Sequence, residues 1–227
     1  MGRVLTNSIN DNIISLLEKL VDKTTESEEY AQTMYSLGNE FGTLILDRIV
    51  DDENIVLAST VEDADYLGKG ILDVLEKCGK KIFLTVFWNK RFNPNEENNI
   101  AVAPIVKEFH EVQNENIGTV IVIKSIISSS CVVRTNLTKL LEESSPKHVL
   151  IVAPVMLRGA TENLESEFSD DIKSNFSYLY FAEDDQKSDD GFVYPGIGGD
   201  VYQRLGFESQ KEKNSYIPKI VKERRYK

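Results

Sequence analysis

Hydrophobic positions change their rhythm near residue 50. Before it they recur at helical spacing. Ile13, Leu16, Leu17, Leu20 and Val21 predict an amphipathic helix over residues 11–22, with Asn10 or Asp11 as its cap. Tyr30, Met34, Leu37, Phe41, Leu44, Ile45 and Ile49 predict a longer helix over residues 29–50, which ends in the acidic turn Asp51-Asp52-Glu53. From Ile55 onward, short apolar runs alternate with amphipathic stretches. Strands are expected at 55–58, 81–88, 119–123, 148–155 and 178–182. Helices are expected at 66–77, 104–112, 131–142 and 161–167. The run Thr119 to Ile123 is β-branched and apolar throughout, as in a strand covered on both faces. This alternation predicts an α/β fold with a central, mostly parallel sheet flanked by helices, whose ligands lie beyond the carboxyl ends of the strands. The chain then divides into an N-terminal helical segment (1–50), an α/β domain (51–210) and a C-terminal tail (211–227). Residues 89–99, rich in Asn and Glu, read as a mobile loop.

Composition narrows the picture. With 227 residues and 41% hydrophobic content, the chain can bury one substantial core. No apolar run is long enough to span a bilayer and no signal-peptide pattern opens the chain, so the expectation is a cytoplasmic protein without a membrane partner. Cys78 and Cys131 read as free thiols. With only His110 and His148 beside them, no metal site is expected from ligand spacing. The net charge of −11 argues against nucleic acid as a partner. That charge is uneven: residues 211–227 carry +5, which leaves −16 on the rest, so the tail reads as a separate electrostatic unit. Its Tyr216, Ile217, Pro218, Ile220 and Val221 favour protein contact over phosphate contact.

Candidate chemistry concentrates after the 119–123 strand. Lys124-Ser125 leads through Ile126 and Ile127 into the small-residue turn Ser128-Ser129-Ser130, and Cys131 starts a helix. A strand, a small-residue loop and a helix start together present free backbone N–H groups and the positive end of a helix dipole, which is an anion site almost independent of side chains. A thiol at a helix N-terminus is also expected to have a lowered pKa. Residues 189–206 interleave glycines and one proline with Tyr194, Ile197, Val201 and Leu205, so this stretch reads as a shaped, ligand-facing loop. His110 and His148 read as structural.

This layout resembles the type I phosphoribosyltransferases, and within them the uracil phosphoribosyltransferases. Three stretches carry the resemblance. Ser36-Leu37-Gly38-Asn39-Glu40-Phe41-Gly42 is similar to the family's N-terminal helix, the strand and serine turn from Val120 sit where the family has its phosphoribosyl diphosphate (PRPP) loop, and Tyr194-Pro195-Gly196-Ile197-Gly198 looks like its Pro-Gly-Leu-Gly base pocket. The resemblance implies phosphate contacts at Ser128, Ser129, Ser130 and Cys131. It implies ribose and diphosphate contacts around Lys124, Ser125, Glu62, Asp63, Asp65, Lys90 and Arg91, and base contacts at Tyr194, Pro195, Gly196, Ile197, Gly198 and Asp200. It also implies Mg2+ if PRPP is bound, and a homodimer, with the N-terminal helices and basic tail left for a protein partner.

Three departures fall on one ligand. Lys124 stands where the family has an acidic residue for the ribose hydroxyls, Glu62 where it has an Arg for the diphosphate, and Ser129-Ser130-Cys131-Val132 where it has Thr-Gly-Gly-Ser/Thr. Reversing one charge 4 Å from another is a swing of up to about 8 kcal/mol at an effective dielectric near 20. The expectation is therefore a protein with an altered PRPP site that binds a nucleotide or phosphate ligand, or serves in an assembly, without catalysis. The alternatives are an active PRPP-dependent nucleobase transferase and a hydrolase of nucleosides or nucleotides with Asp184 or Asp200 as base.

Overall fold

A computed structural model describes residues 2–7, 9–49, 54–95, 100–111, 116–188 and 191–225. The strands are β1 (Val4–Leu5), β2 (Asn54–Thr60), β3 (Ile82–Asn89), β4 (Phe92–Asn95), β5 (Ile100–Val102), β6 (Ile105–His110), β7 (Ile117–Ile123), β8 (Ile126–Ile127), β9 (His148–Leu157), β10 (Phe176–Asp184), β11 (Gln186–Lys187) and β12 (Val193–Tyr194). The helices are α1 (Asp11–Val21), α2 (Ser27–Leu46), α3 (Val61–Asp63), α4 (Lys69–Lys77), α5 (Cys131–Glu143), α6 (Ala160–Glu165), α7 (Asp170–Lys173), α8 (Val201–Arg204), α9 (Gln210–Ser215) and α10 (Lys219–Arg224). A π-helical turn, Ala64–Gly68, joins α3 to α4.

The main sheet runs β1-β10-β9-β7-β2-β3-β6, with the short β8 also paired to β9. Its centre is parallel and its two edge strands, β1 and β6, are antiparallel. Each central strand is apolar on both faces because helices cover both. On one face α1, α2 and α4 pack over Leu57, Leu84 and Ile121; on the other, α5 and α6 pack over Val56, Val120 and Val122. The α2–α4 contact depends on small residues. A side chain at Gly38 would meet the Leu67 carbonyl oxygen at 2.4 Å, and one at Gly70 would meet that of Tyr35 at 2.2 Å. Asn10 caps α1 as expected, accepting from the Ile13 amide at 2.9 Å. No helix of the described residues is long and apolar enough to cross a membrane.

Two expectations need correction. The helix expected at 104–112 is the edge strand β6, paired antiparallel to β3 with Val86 opposite Phe109 and Trp88 opposite Lys107. Ile105 and Phe109 sit four apart, which fits a helix face, but with Lys107 they equally make one face of a strand; Val112 lies outside the described residues. The basic tail is not a separate unit either. Ile220 and Val221 are buried in the main core, and Arg224 bonds to Glu111, Glu76 and the Ile82 carbonyl. Within the expected 89–99 loop, residues 92–95 form β4, which pairs antiparallel with β5 just beyond the stretch, and residues 96–99 lie outside the described residues.

Candidate functional site

Beyond the carboxyl ends of β2, β3 and β7 lies a cleft of about 480 Å³. Such a volume suits a small ligand. Its two ends differ in chemistry. At one end the chain leaves β8 through Ser128, Ser129 and Ser130 and enters α5, all three serines lining the cleft together with Cys131 and Arg91. Ser130 takes the left-handed conformation (φ 56°) that the turn requires, and its hydroxyl donates to the Ala160 carbonyl at 3.0 Å. The hydroxyl bond across to α6 holds a conformation that costs a non-glycine residue roughly 1–2 kcal/mol. This end has the anion-binding geometry expected from the sequence, with a helix start of thirteen residues and a guanidinium beside it.

At the other end, charges from three elements meet. Lys124, at the end of β7, donates to Asp63 Oδ2 at 2.7 Å and Ser125 Oγ at 3.1 Å, and lies 3.2 Å from Glu62 Oε1. Lys213 of α9 enters from the tail, donates to the Asn89 carbonyl at 3.2 Å and lies 3.5 Å from Glu62 Oε2. Burial alone would raise the Glu62 pKa, but the Lys124 and Lys213 ammonium groups more than offset it and hold the carboxyl at about 2. Burial alone would also lower that of Lys124, and Asp63 and Glu62 raise it instead. Asp200 faces the same end, and burial pushes its carboxyl above the usual range, against an opposing pull from a backbone amide and the lysines.

A reciprocal amide pair braces the two ends. Asn89 donates to Asn136 Oδ1 at 2.8 Å, and Asn136 returns a bond to Asn89 Oδ1 at 3.2 Å, tying the end of β3 to α5. Nothing in the local sequence marks this pair or singles out Lys213. The tail's charge was visible, but nothing local tells which of its lysines meets a buried carboxylate.

The remaining expected site residues divide. Glu62, Lys124, Arg91, Asp200 and the Ser128–Cys131 turn line the cleft. Ser125 lies beneath it, its amide donating to Asp63 Oδ2 at 3.3 Å, and Asp63 itself braces Lys124 from below. Lys90 is exposed and outside the lining. Asp65 turns away: it accepts from the Tyr216 hydroxyl and from the amides of Lys219 and Ile220, at 2.8 and 2.9 Å for the two amides. Residues 194–198 are also turned from the cleft, whose lining takes in 191–193 and 199–202 on either side of them. Tyr30 donates to the Ile197 carbonyl at 2.9 Å, Gly198 lies against the Leu20 carbonyl, and Arg3 and Asp184 hold both backbone groups of Gly196. Tyr194 is 63% exposed. Asp184 is fully buried in a two-bond pair with Arg3, 2.9 Å each, so it is no base for hydrolysis. The Cys131 thiol is raised, not lowered, because burial outweighs the pull of Arg134 and Arg91. Asp189 and Asp190 lie outside the described residues.

Among the described residues, the cleft offers magnesium no fitting set. Of Glu62, Asp63 and Asp65, the first two are neutralised by ammonium groups and the third caps a distant helix. Among the described residues, Glu108, His110 and Glu143 also bring ligand atoms within 4.8 Å of one another, but on β6 and α5, outside the lining of the cleft.

No protein-family model matches the sequence, and neither does any curated protein. Among solved structures, the AQ2163 protein from Aquifex aeolicus is similar at TM-score 0.67 and 17% identity, over 88% of this chain and 97% of that one. The two share a fold. The Trypanosoma cruzi hypoxanthine phosphoribosyltransferase in complex with IMP superposes at TM-score 0.44 and 12% identity, over 68% of this chain and 77% of that one. The hypoxanthine-guanine phosphoribosyl transferase of L. donovani does so at 0.44 and 8%, over 72% and 82%. The last two superpose too loosely to bear on function.

Proposed function

We propose that this chain is a uracil-phosphoribosyltransferase-like protein whose cleft binds a monophosphorylated, nucleotide-type ligand without transferring a phosphoribosyl group. One observation carries the reading. Where the sequence resemblance calls for a free acidic group, the Lys124 ammonium is locked between Asp63 and Glu62. A diphosphate brought to that end would meet Glu62 and Asp200 without a magnesium set to bridge them. At about 4 Å and an effective dielectric near 20, an ionised carboxylate opposes a phosphate charge by up to about 4 kcal/mol, an upper bound for Glu62 because Lys124 and Lys213 already offset its charge. The serine end keeps a place for one phosphate, with backbone amides, hydroxyls and Arg91 and no carboxylate from the other end needed. The ligand is therefore a molecule with one phosphate and a neutral remainder. The reading also carries the family's homodimer and a cytoplasmic setting as expectations.

Calorimetric titration with UMP, ribose 5-phosphate and PRPP, the last with and without Mg2+, tests it. UMP or ribose 5-phosphate should bind, and Mg2+ should not strengthen PRPP. Release of diphosphate from PRPP and uracil would instead establish the active transferase.

A further inference from the structure

The helical turn after β2 faces two ways. Glu62 looks into the cleft, while Asp65, three residues on, holds the tail by the Tyr216 hydroxyl and the first two amides of α10. Those amides have no partner inside their own helix, and a carboxylate from another element satisfies them. The tail in turn sends Lys213 back to Glu62, and its Tyr216 carbonyl accepts from the Trp88 indole at 2.8 Å, next to Asn89 at the end of β3. A closed circuit therefore runs from Asp65 through the tail to the cleft.

We infer that Asp65 is a positioning residue for the cleft: by fixing the turn between α9 and α10 it seats Lys213 between Asn89 and Glu62, and without that ammonium the cleft carries too much negative charge to accept a phosphate. The lining holds Glu62 and Asp200 against Lys124, Lys213 and Arg91. Asp63 beneath the lining already occupies Lys124, so three carboxylates face three cations. Withdrawing Lys213 leaves a net negative charge and strips Glu62 Oε2, a buried oxygen with no hydrogen-bond partner, of its counter-charge. The site is then incomplete without the C-terminal segment. This inference rests on the phosphate-ligand reading for its affinity effect, but not for the seating of Lys213.

Trp88 is the protein's single tryptophan, so its emission reports the tail contact directly. Asp65→Ala should shift Trp88 emission to the red, raise the labelling of Lys213 by an amine-reactive reagent as read by mass spectrometry, and weaken UMP about tenfold. Lys213→Met should weaken UMP to a similar degree with emission unchanged. The double variant should be no weaker than either single one, because both remove the same contact. If Asp65→Ala does not fold, Tyr216→Phe removes one of the three bonds and should move labelling and affinity the same way by less. Unchanged Lys213 labelling in a folded Asp65→Ala overturns the inference, as does altered labelling with unchanged UMP affinity. If the wild-type protein binds none of the phosphate probes, the ligand reading fails. The seating of Lys213 is then decided by labelling and emission alone: increased labelling upholds it, and no change overturns it.

Discussion

The glycine loop at residues 191–200 and the basic segment at residues 207–225 both run beside the cleft, but they are held by opposite means. The loop is fixed through its backbone: the Gly196 amide and carbonyl and the Ile197 carbonyl all have hydrogen-bond partners, and Gly198 sits where a Cβ would strike the Leu20 carbonyl, while Tyr194 stands in solvent. The tail is fixed mainly through side-chain charges, Lys213 on Glu62 and Arg224 on Glu111 and Glu76, with Asp65 capping α10 and the Trp88 indole donating to the Tyr216 carbonyl. A segment held by its backbone tolerates changes of side chain and fails when a Cβ intrudes. One held by charge behaves the other way round.

The largest expected effect follows from the loop. Gly198→Ala places a Cβ 2.1 Å from the Leu20 carbonyl oxygen at a φ of 81°, so either α1 or the loop must move. A loss of at least about 4 kcal/mol is expected, in the range reserved for strain and steric clash. Gly199→Ala has open space around it, with a φ of 116°, and should cost only the backbone strain, roughly 1–3 kcal/mol. Chemical denaturation of the two variants side by side decides whether contact or conformation fixes the loop.

The tail's counterpart is Arg224→Met. The Arg224 side chain is only 7% exposed, and removing its guanidinium leaves Glu111 without that counter-charge, held by the Leu84 amide, and takes a donor from the Ile82 carbonyl. Breaking a buried pair from one side costs about 3–5 kcal/mol, and the partly exposed Glu76 pulls the expectation to the lower end. Denaturation midpoints read this out. A loss under about 1 kcal/mol would mean that Ile220 and Val221 hold the tail by burial alone.

These contacts also show what was legible in the sequence. Strand positions, the serine turn and the start of α5 could be read because period and small-residue spacing are local. The loop was visible as a shaped backbone, but its direction was not, since that depends on Tyr30, Leu20, Arg3 and Asp184, all distant in sequence. Likewise the tail's charge was plain, whereas its partners Glu62, Glu76 and Glu111 lie more than a hundred residues upstream, except that Asp65 on the same turn as Glu62 was marked for the wrong ligand. The β6 strand was lost because six residues fit both periods and only pairing with β3 decides between them.

Acidification probes the charge-held side. Glu62 has a folded pKa of about 2 against an ordinary value of 4.5, so its contribution is full above about pH 4.5 and is lost as pH falls toward 2. The size is on the order of 3 kcal/mol, taking 1.36 kcal/mol per unit over the drop from 4.5 to about 2. Lys213→Met should weaken this acid dependence, because one of the two ammonium groups holding the carboxyl down is gone. Stability measured from pH 6 to pH 2.5 in both proteins gives the comparison. Parallel curves would mean that Lys124 alone holds Glu62 ionised.

The smallest expected effect is the sharpest test of the loop's orientation. Tyr194 was expected to touch a base, yet it is 63% exposed and absent from the lining of the cleft. Its backbone pairs with Gln186 in the β11–β12 ribbon, and that pairing does not need the ring. Tyr194→Ala should therefore change stability by less than about 0.5 kcal/mol and leave UMP affinity unchanged. A tenfold loss of UMP binding would show that the loop turns its ring inward over a ligand, and that backbone contacts to α1 and α2 do not fix it in the bound state.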